Sequence, residues 1–568
     1  MADEELLQKL EDLTKDAVHH QLQTLCSILE HQAGVSYLRP FLAGHHESID
    51  AANFHRRVPL SCYDDYADHI NRMANGELDH SEPVFSVDPL LCFFYSSGTS
   101  TMNPKLIPYF DSALSRAASY IAHQGSSAIF RRLFPPKPEV NKILWFLYVD
   151  VTTTTRGGFK VMAASTYPFS KTSEVNWSQV LPCISPPEVL LGTDIENQMY
   201  CHLLCALRNS DLIDGIRAPY AIGIVKAFSL LESKWKQLCD DLENGFLSTQ
   251  VTNPAMRESV SNILDGPQPD LSKRFRSIFE EKNWNGIVSK LWCNVRYVKC
   301  VITGSMKQYY PKLKYYAGEI MILGGDYFAS ECPVGINLDI RQPPEATRFV
   351  MLPTAAYFEF LPFDMNEQSV VSEKAMTFSD VDVGKTYEVV VTTYRGLYRY
   401  RLGDIVRVVG FHNSSPEVEF VMRAPKTADE IITERDLISA MESLISVEII
   451  EFASFLDLET SPKQLKVFIE LREEKLQESI EALKKCCYSL EDGLGGIYKV
   501  ERDKGKIGPL SVYIVKPGSF NEILLVAVEN GAPASQYKPP KIIRNRKIVD
   551  VMESSVLVAV SADSSCGL

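Results

Sequence analysis

Residues 90–105 read LLCFFYSSGTSTMNPK, an apolar run followed by a stretch rich in hydroxyl side chains. The run from Leu90 to Tyr95 has the length and composition of a buried strand. The stretch after it can present backbone N–H groups and hydroxyls to phosphate oxygens, and Lys105 adds a positive charge. This pattern predicts a strand that leads into a phosphate-binding loop, although Ser-Ser-Gly alone is more typical of an ordinary turn.

A second motif, GDYFASE at residues 325–331, follows an apolar segment that ends near Leu323. The ring of Tyr327 can stack on adenine. The Glu331 carboxylate can bind Mg²⁺, a hard cation that prefers carboxylate and phosphate oxygens. The alternative is a turn at a strand end with a solvated glutamate.

A third motif, YRYRLGD at residues 398–404, opens a predicted strand over residues 405–410. Because a carboxylate has two acceptor oxygens, Asp404 can accept hydrogen bonds from both hydroxyls of a ribose. Alone, this motif would suggest only a surface ion pair. The three motifs in this order together favour a nucleotide site.

The rest of the chain alternates predicted helices with short apolar strands. Leucines in helical spacing predict one amphipathic helix over residues 4–31. Further helices are predicted at about 195–213 and 219–240, and strands at 143–151, 298–302, 319–323 and 387–394. This alternation predicts α/β layers rather than a bundle or a sandwich.

After about residue 424 the pattern changes. Strands are predicted at 447–453, 465–471 and 510–515, and helices at 473–491 and 520–530. The charged, proline-containing segment 423–430 is the candidate hinge. We therefore expect a large N-terminal domain over residues 1–424 and a smaller, mobile α+β domain over residues 425–568.

Composition and charge disfavour several classes of protein. Hydrophobic residues make up 45% of the 568 residues and charged residues 23%, as in an ordinary globular chain with a large core. The 58 basic and 72 acidic residues give a net charge of −14, which disfavours nucleic acid and anionic membranes as partners. The sequence shows neither a secretory signal nor a run of about 18 apolar residues. We therefore expect a cytoplasmic protein, and a monomer.

Two local patterns carry little weight. Gly384-Lys385-Thr386 lacks the earlier glycine of a phosphate-binding Walker loop and precedes a strand rather than a helix. Cys201-His202-x-x-Cys205 lies in a helical pattern without a second ligand pair, which favours core packing over zinc. The chain also lacks a G-x-S-x-G elbow, so a serine hydrolase is disfavoured.

Taken together, SSGTS with its following lysine, Y-x-x-S-E and Y-R-x-R-x-G-D resemble the three nucleotide motifs of the adenylate-forming superfamily. More narrowly, the chain resembles the plant acyl acid amido synthetases of the Gretchen Hagen family. The similarity extends over nearly the whole chain. Supporting segments lie at residues 200–204, 301–306, 357–360 and 535–538.

This resemblance implies a two-step ligase that uses ATP and Mg²⁺. A small carboxylic acid is first converted to an acyl-adenylate, and the amine of an amino acid then displaces AMP to form an amide. The implied fold is a large multi-layer N-terminal domain of the adenylate-forming type. A smaller α+β domain would rotate between the two steps.

By resemblance, individual residues receive roles. Lys538 is the catalytic lysine of the C-terminal domain, and Glu331 binds the metal. The residues implied in nucleotide binding are Ser96, Ser97, Gly98, Thr99, Asp326, Tyr327, Ser330, Asp404 and Arg423. The residues implied in the acyl acid and amino acid pocket are Tyr120, Gln124, Arg156 and Tyr220. Lys538 and Arg156 could instead be solvated surface charges.

The chain departs from the family pattern at several positions. Thr101 and Met102 occupy a stretch where typical members continue with glycine, and Ile431 falls where relatives carry a hinge lysine. Gln124 replaces an arginine that holds the acid's carboxylate in some relatives, which disfavours a benzoate-type acid. Segments 315–319 and 397–404 are most similar to the jasmonate-conjugating branch of the family, so the resemblance implies a jasmonate-like acid, with auxin as the alternative. A nucleotide-binding regulatory protein without turnover and a ligase that forms a coenzyme A thioester remain open.

Overall fold

The structure is a computed structural model. It describes residues 2–42, 51–78, 83–95, 104–149, 152–169, 182–427, 430–444, 447–472, 476–530, 532 and 537–561. No helix within these ranges is long and apolar enough to cross a membrane. The predicted phosphate loop, with Ser96, Ser97, Gly98 and Thr99, lies outside the described residues, as do Thr101 and Met102.

The strands belong to four sheets. In chain order they are β1 Leu90–Tyr95, β2 Leu106–Phe110, β3 Lys142–Trp145, β4 Thr153–Thr154, β5 Lys160–Ala163, β6 Ile213–Tyr220, β7 Tyr297–Val301, β8 Met321–Leu323, β9 Tyr327–Phe328, β10 Pro333–Ile336, β11 Arg348–Met351, β12 Tyr357–Asp364, β13 Ser369–Val370, β14 Thr386–Thr392, β15 Tyr400–His412, β16 Ser415–Arg423, β17 Ile449–Asp457, β18 Gln464–Leu471, β19 Ser511–Val515 and β20 Val556–Ser561.

Helices lie between these strands. The α-helices span Asp3–Lys15, Ala17–His31, Arg39–Leu42, Ala51–Arg57, Asp64–Asn75, Ala113–Leu133, Pro187–Leu190, Ile195–Arg208, Ala221–Asn244, Pro254–Leu264, Pro269–Glu280, Ile287–Leu291, Tyr310–Ala317, Glu434–Glu442, Leu476–Asp492, Gly496–Asp503, Ser519–Glu529 and Arg546–Ser554. Short 3-10 helices span Ala164–Phe169, Ser210–Leu212, Gly304–Tyr309 and Pro344–Ala346.

The sheets differ in strand direction. One is entirely parallel, in the order β3-β6-β7-β8. A mixed sheet has the order β2-β1-β5-β4, and an antiparallel one the order β13-β12-β14-β15-β16-β11-β10-β9. The fourth sheet, β17-β18-β19-β20, belongs to the last part of the chain. This arrangement confirms the predicted α/β class with a smaller α+β part at the C-terminal end.

Hydrophobic clusters follow the same division. One surrounds the parallel sheet and its helices, and a second joins the mixed sheet to the eight-stranded one. Two others, on the C-terminal sheet, draw on residues from 431 onward. Each part therefore buries its own apolar surface, which stabilises it independently. The exact boundary at residue 424 stays a prediction.

The predicted helix over residues 4–31 is two helices that meet at Asp16. The turn between β15 and β16 causes this break. Ser414 N donates to Thr14 O at 2.9 Å, and Ala17 N donates to Ser414 Oγ at 2.8 Å. Because a distant hairpin satisfies the backbone groups at the break, the leucine pattern alone could not predict it.

The strand predicted over residues 143–151 is shorter. β3 ends at Trp145, and Phe146 N then donates to Arg217 O at 2.8 Å as the chain leaves the sheet. Phe146 and Tyr148 are buried in the cluster around the parallel sheet. The apolar run therefore reflects burial in the core rather than continued strand pairing.

Candidate nucleotide and acyl acid site

The second and third motifs meet in the eight-stranded sheet. The Tyr327 hydroxyl in β9 donates to Asp404 Oδ2 in β15 at 2.6 Å. The Tyr327 ring is 9% exposed and packs against Phe349 and Phe420. Burial and the nearby Asp404 charge raise the pKa of Tyr327 well above its usual value, so its hydroxyl stays protonated and can donate. Stacking of this ring on adenine stays a prediction.

The other oxygen of Asp404, Oδ1, is buried beside a cation. Asp404 and Arg423 are paired in register on β15 and β16, and Oδ1 lies 2.9 Å from Arg423 Nε. This approach lacks hydrogen-bond geometry, so Oδ1 is a buried acceptor without a donor among the described residues. Buried acceptors usually have a donor. A ribose hydroxyl is a donor of the required kind.

The backbone conformation of Gly403 orients the side chain of Asp404. Gly403, directly before it, has φ +71°, and the register between β14 and β15 shifts between Glu388 and Val390. A side chain at residue 403 would meet no neighbour within 4 Å, so the requirement for glycine comes from φ alone.

The start of the first motif lies next to the second motif. Ser330 Oγ lies 3.5 Å from the carbonyl oxygen of Tyr95, the last residue of β1. Burial raises the pKa of Glu331, whereas the charges of Arg423 and Lys105 act in the opposite direction. Glu331 therefore lies within electrostatic range of Lys105 from the first motif and of Arg423 at the end of β16. In the described ranges, no group of three or more His, Cys, Asp or Glu side chains could hold a metal ion.

Basic side chains accumulate beside these motifs. Burial, together with the charges of Arg544, Lys105 and Arg423, lowers the pKa of Lys426 to about 8. Arg544 makes a bidentate ion pair with Glu430, at 2.6 and 2.8 Å. Cationic side chains of this kind are complementary to a triphosphate. The position of Arg544 near Lys426 is not predictable from a local sequence pattern, because the residue lies far along the chain from the three motifs.

Asp326 has internal partners. Its carboxylate accepts from Ser126 Oγ at 2.6 Å and from Asn337 N at 3.1 Å, and Lys299 Nζ lies 3.8 Å away. These contacts join the second motif to the helix Ala113–Leu133 and to β7. Binding of the nucleotide by Asp326 stays a prediction.

Two predicted acyl-pocket residues share one helix face. Tyr120 and Gln124 are one turn apart on the helix Ala113–Leu133, and Tyr120 is 46% exposed. Neither side chain hydrogen-bonds to another residue in the described part of the chain. Both are therefore available to a ligand.

The loop that carries Arg156 lies beside β1. The Tyr95 hydroxyl and Thr153 Oγ1 are 2.7 Å apart, and Arg156 is exposed. Gly157 fits closely, since a Cβ there would lie 2.5 Å from the nitrogen of Gly76. The loop is therefore fixed while Arg156 faces solvent.

The predicted catalytic lysine contacts a predicted pocket residue. Lys538 Nζ lies 4.0 Å from the centroid of the Tyr220 ring, at the end of β6. Lys541 is fully buried instead, and its ammonium forms an ion pair with Glu451. Of the two lysines, Lys538 is the one that can reach a substrate. The structure shows no contact between Lys538 and Asp404 in this conformation.

Comparison with known proteins agrees with this arrangement. Residues 6–322, 349–423 and 435–547 match the GH3 family N-terminal, central and C-terminal domains. The chain is 46% identical over 379 residues to "Probable indole-3-acetic acid-amido synthetase GH3.6" of Oryza sativa subsp. japonica, covering 63% of this chain and 78% of that protein. It is 34% identical over 577 residues to "Jasmonoyl--L-amino acid synthetase GH3.5" of the same species, covering 97% of each.

A solved structure extends the similarity to the fold. The "AtGH3.15 acyl acid amido synthetase in complex with 2,4-DB" has a TM-score of 0.84 and 30% sequence identity, over 99% of this chain and 97% of that chain. Sequence, domain order and three-dimensional structure therefore agree, and the chain belongs to the GH3 family.

Proposed function

We propose that the chain is an ATP-dependent acyl acid amido synthetase, a ligase that adenylates a small carboxylic acid and conjugates it to an amino acid. Relatives whose names state this activity over nearly the whole chain support the proposal. The observation in the structure that carries it is the buried Oδ1 of Asp404, which lies beside Arg423 and accepts no hydrogen bond from the described residues. An acceptor that lacks a hydrogen-bond donor and lies beside a cation suits a ribose that is followed by phosphates.

The residues present also fit a magnesium ion. Mg²⁺ is commonly held by one or two carboxylates together with substrate phosphates and water. Glu331 would supply the carboxylate, and the adjacent Lys105 and Arg423 would bind phosphate oxygens. When bound, the ion would offset charge that develops on the phosphates in the transition state.

Two bond exchanges make up the proposed reaction. A carboxylate oxygen of the acid bonds to the α-phosphorus of ATP, and the bond to the bridging oxygen breaks to release pyrophosphate. The amine of the amino acid then attacks the carbonyl carbon, the bond to the AMP oxygen breaks, and the amine loses a proton. Lys538 would stabilise negative charge on the phosphate during these steps. Arg156 would bind the carboxylate of the amino acid.

We favour a jasmonate-like acid, with indole-3-acetic acid as the alternative. Relatives with both activities in their names are similar to this chain. The neutral Gln124 beside Tyr120 suits a largely apolar acid better than an acid held by an ion pair at that position. Cytoplasmic location, a monomeric state and a hinge near residue 424 belong to the same proposal.

The test is ATP–pyrophosphate exchange with jasmonate, indole-3-acetate and benzoate, followed by mass spectrometry of products formed with amino acids or coenzyme A. We expect exchange with jasmonate and an amide product. Exchange with indole-3-acetate alone would reject the favoured acid. A thioester product would reject the amide ligase. ATP binding without exchange for any acid would support a regulatory protein.

The matched variants are Asp404→Asn and Asp382→Asn. Asp404→Asn should raise the KM for ATP at least about tenfold, because it removes a charge-assisted hydrogen bond. Asp382 is exposed in the turn before β14, so the same change there should leave the KM for ATP unaltered. Equal kinetics of the two variants would reject Asp404 as a nucleotide ligand.

A further inference from the structure

Arg395 is a largely buried cation in the turn between β14 and β15. Its guanidinium carbon lies 4.1 Å from the centroid of the Tyr109 ring in β2. Its Nε is buried and makes no hydrogen bond within the part of the chain that the structure describes. The aromatic ring therefore holds the guanidinium in place without neutralising it.

Neighbouring arginines in the same segment are paired. Arg399 lies 2.8 Å from Glu359, and Arg401 lies 2.6 Å from Glu388. No described carboxylate lies within ion-pair distance of Arg395. Burial accordingly lowers the pKa of Arg395, whereas the hydrogen bond to Glu388 raises the pKa of Arg401. A desolvated charge without a partner is unfavourable, so a bound anion would stabilise this site.

The position of Arg395 relates it to the proposed acyl pocket. The pKa of His123 is lowered mainly by burial and further by the Arg395 charge. Burial raises the pKa of Cys332, and the Arg395 charge opposes that change. His123 precedes Gln124 on the helix after the phosphate loop, and Cys332 follows Glu331. The Arg395 charge thus acts on His123, in the helix that carries the predicted acyl-pocket residues, and on Cys332, next to the candidate metal ligand.

Aromatic rings form the surroundings of the guanidinium. The Tyr109 ring centroid lies 4.7 Å from that of Tyr167 and 4.6 Å from that of Phe94. A planar guanidinium on an aromatic surface keeps its N–H groups in a fixed fork, which matches the two oxygens of a carboxylate.

We propose that Arg395 binds the carboxylate of the acyl acid before adenylation and thereby replaces the cation that Gln124 does not supply. This inference rests on the proposed function and adds a residue that determines substrate affinity. Adenylation turns the carboxylate into a neutral carbonyl when its oxygen bonds to the α-phosphorus and pyrophosphate leaves. The ion pair therefore stabilises the bound acid more than the later states, and its loss should affect the KM for the acid more than kcat.

The experiment measures ATP–pyrophosphate exchange for Arg395→Gln and Arg395→Lys, with the fastest-reacting acid of the jasmonate, indole-3-acetate and benzoate panel. Arg395→Gln should raise the KM for the acid about 10- to 100-fold and leave the KM for ATP unchanged. Arg395→Lys retains the charge but not the planar fork of N–H donors, so its KM for the acid should lie between those of the parent protein and of Arg395→Gln. Arg407→Gln is the control, because Arg407 lies on the adjacent strand β15 and already pairs with Glu419.

A second measurement needs no variant. Without ATP, the parent protein should bind the acid at least about tenfold more tightly than the primary amide of that acid in calorimetry, since only the acid carries the charge. Equal binding of acid and amide, or an unchanged KM for the acid in a folded Arg395→Gln variant, would overturn the proposal. The proposal would also be overturned if Arg395→Gln raised only the KM for the amino acid in the full reaction. Absence of exchange in the parent protein would reject the proposed function instead.

Discussion

The two carboxylate oxygens of Asp404 have different neighbours. Oδ2 accepts from the buried Tyr327 hydroxyl, which fixes the rotamer of the carboxylate. Oδ1 is left beside Arg423 without a hydrogen-bond donor among the described residues. We therefore expect little ordering of the Asp404 side chain when a nucleotide binds.

We expect Lys426 to make the affinity for ATP dependent on pH. Its pKa of about 8 means that it is protonated below pH 8 and loses its charge as pH rises above it. Because ATP favours the protonated form, the affinity for ATP should fall above about pH 8, by up to about tenfold per pH unit. Calorimetric titration of Mg-ATP at pH 7, 8 and 9 measures this change.

The control for this prediction is Lys426→Arg. An arginine stays charged over the whole range, so this variant should bind ATP with nearly constant affinity from pH 7 to 9. Lys426→Gln should bind weakly and also without pH dependence. An equal fall in all three proteins would place the titrating group elsewhere.

The sequence supports a prediction of the individual site residues only in part. Tyr327 and Asp404 stand out because their motifs are local. Their mutual hydrogen bond joins residues 77 positions apart, so no local pattern contains it. Arg395 carries no distinguishing signal, since its significance lies in a missing partner, which only the folded arrangement reveals. Ser96, Ser97, Gly98 and Thr99 stay predictions.

At the scale of elements, the entry into β15 depends on one buried ion pair. Arg399 has φ +48°, an unfavourable conformation for an arginine. Its guanidinium donates to both oxygens of Glu359 and to the carbonyl oxygens of His55 and Val58. These bonds hold the third motif against β12 and the helix Ala51–Arg57.

We expect Arg399→Ala to lower the free energy of unfolding by about 3 to 5 kcal/mol, because it leaves the Glu359 carboxylate buried without a partner. Urea denaturation measures this loss. Arg407→Ala, which breaks the more exposed pair with Glu419, should cost about 1 kcal/mol or less. The double variant R399M/E359L should recover much of the loss, and similar costs for the two single variants would contradict the prediction.

Elements were predictable where the pattern that defines them is local. β1 has the predicted bounds, Leu90–Tyr95, because its apolar run and the hydroxyl-rich stretch after it are contiguous. The break at Asp16 was not predictable, since Ser414 satisfies the backbone there from 400 positions along the chain. The end of β3 at Trp145 depends in the same way on where its partner β6 stops pairing.

At the scale of the whole molecule, one buried cluster joins the two parts of the chain. Lys541 and Glu451 belong to the C-terminal part, and the Tyr309 hydroxyl of the large part donates to Glu451. Lys226 Nζ donates to Asn521 Oδ1 at 3.1 Å across the same boundary. Contacts of this kind hold Lys538 against Tyr220, so any rotation that brings Lys538 to the nucleotide must break them.

The five tryptophans give a way to measure this coupling, because each lies at or before Trp292, whereas circular dichroism reports on both parts. Lys541→Met leaves Glu451 buried and should destabilise the C-terminal part by about 3 kcal/mol. In urea, the dichroism transition should therefore begin at lower denaturant than the tryptophan fluorescence transition. K541M/E451L should restore much of the loss, since it removes both charges together.

Tyr309→Phe separates coupling from local stability. It keeps the ring in the core of the large part and leaves the Lys541–Glu451 pair in place, but removes the hydrogen bond between the parts. The cost should be about 1 kcal/mol, as for a single hydrogen bond, and should appear as greater separation of the two transitions. If Glu451 stabilises only the C-terminal part, Tyr309→Phe will leave the separation of the two transitions unchanged. Rotation of the C-terminal part would then have to be limited by other contacts.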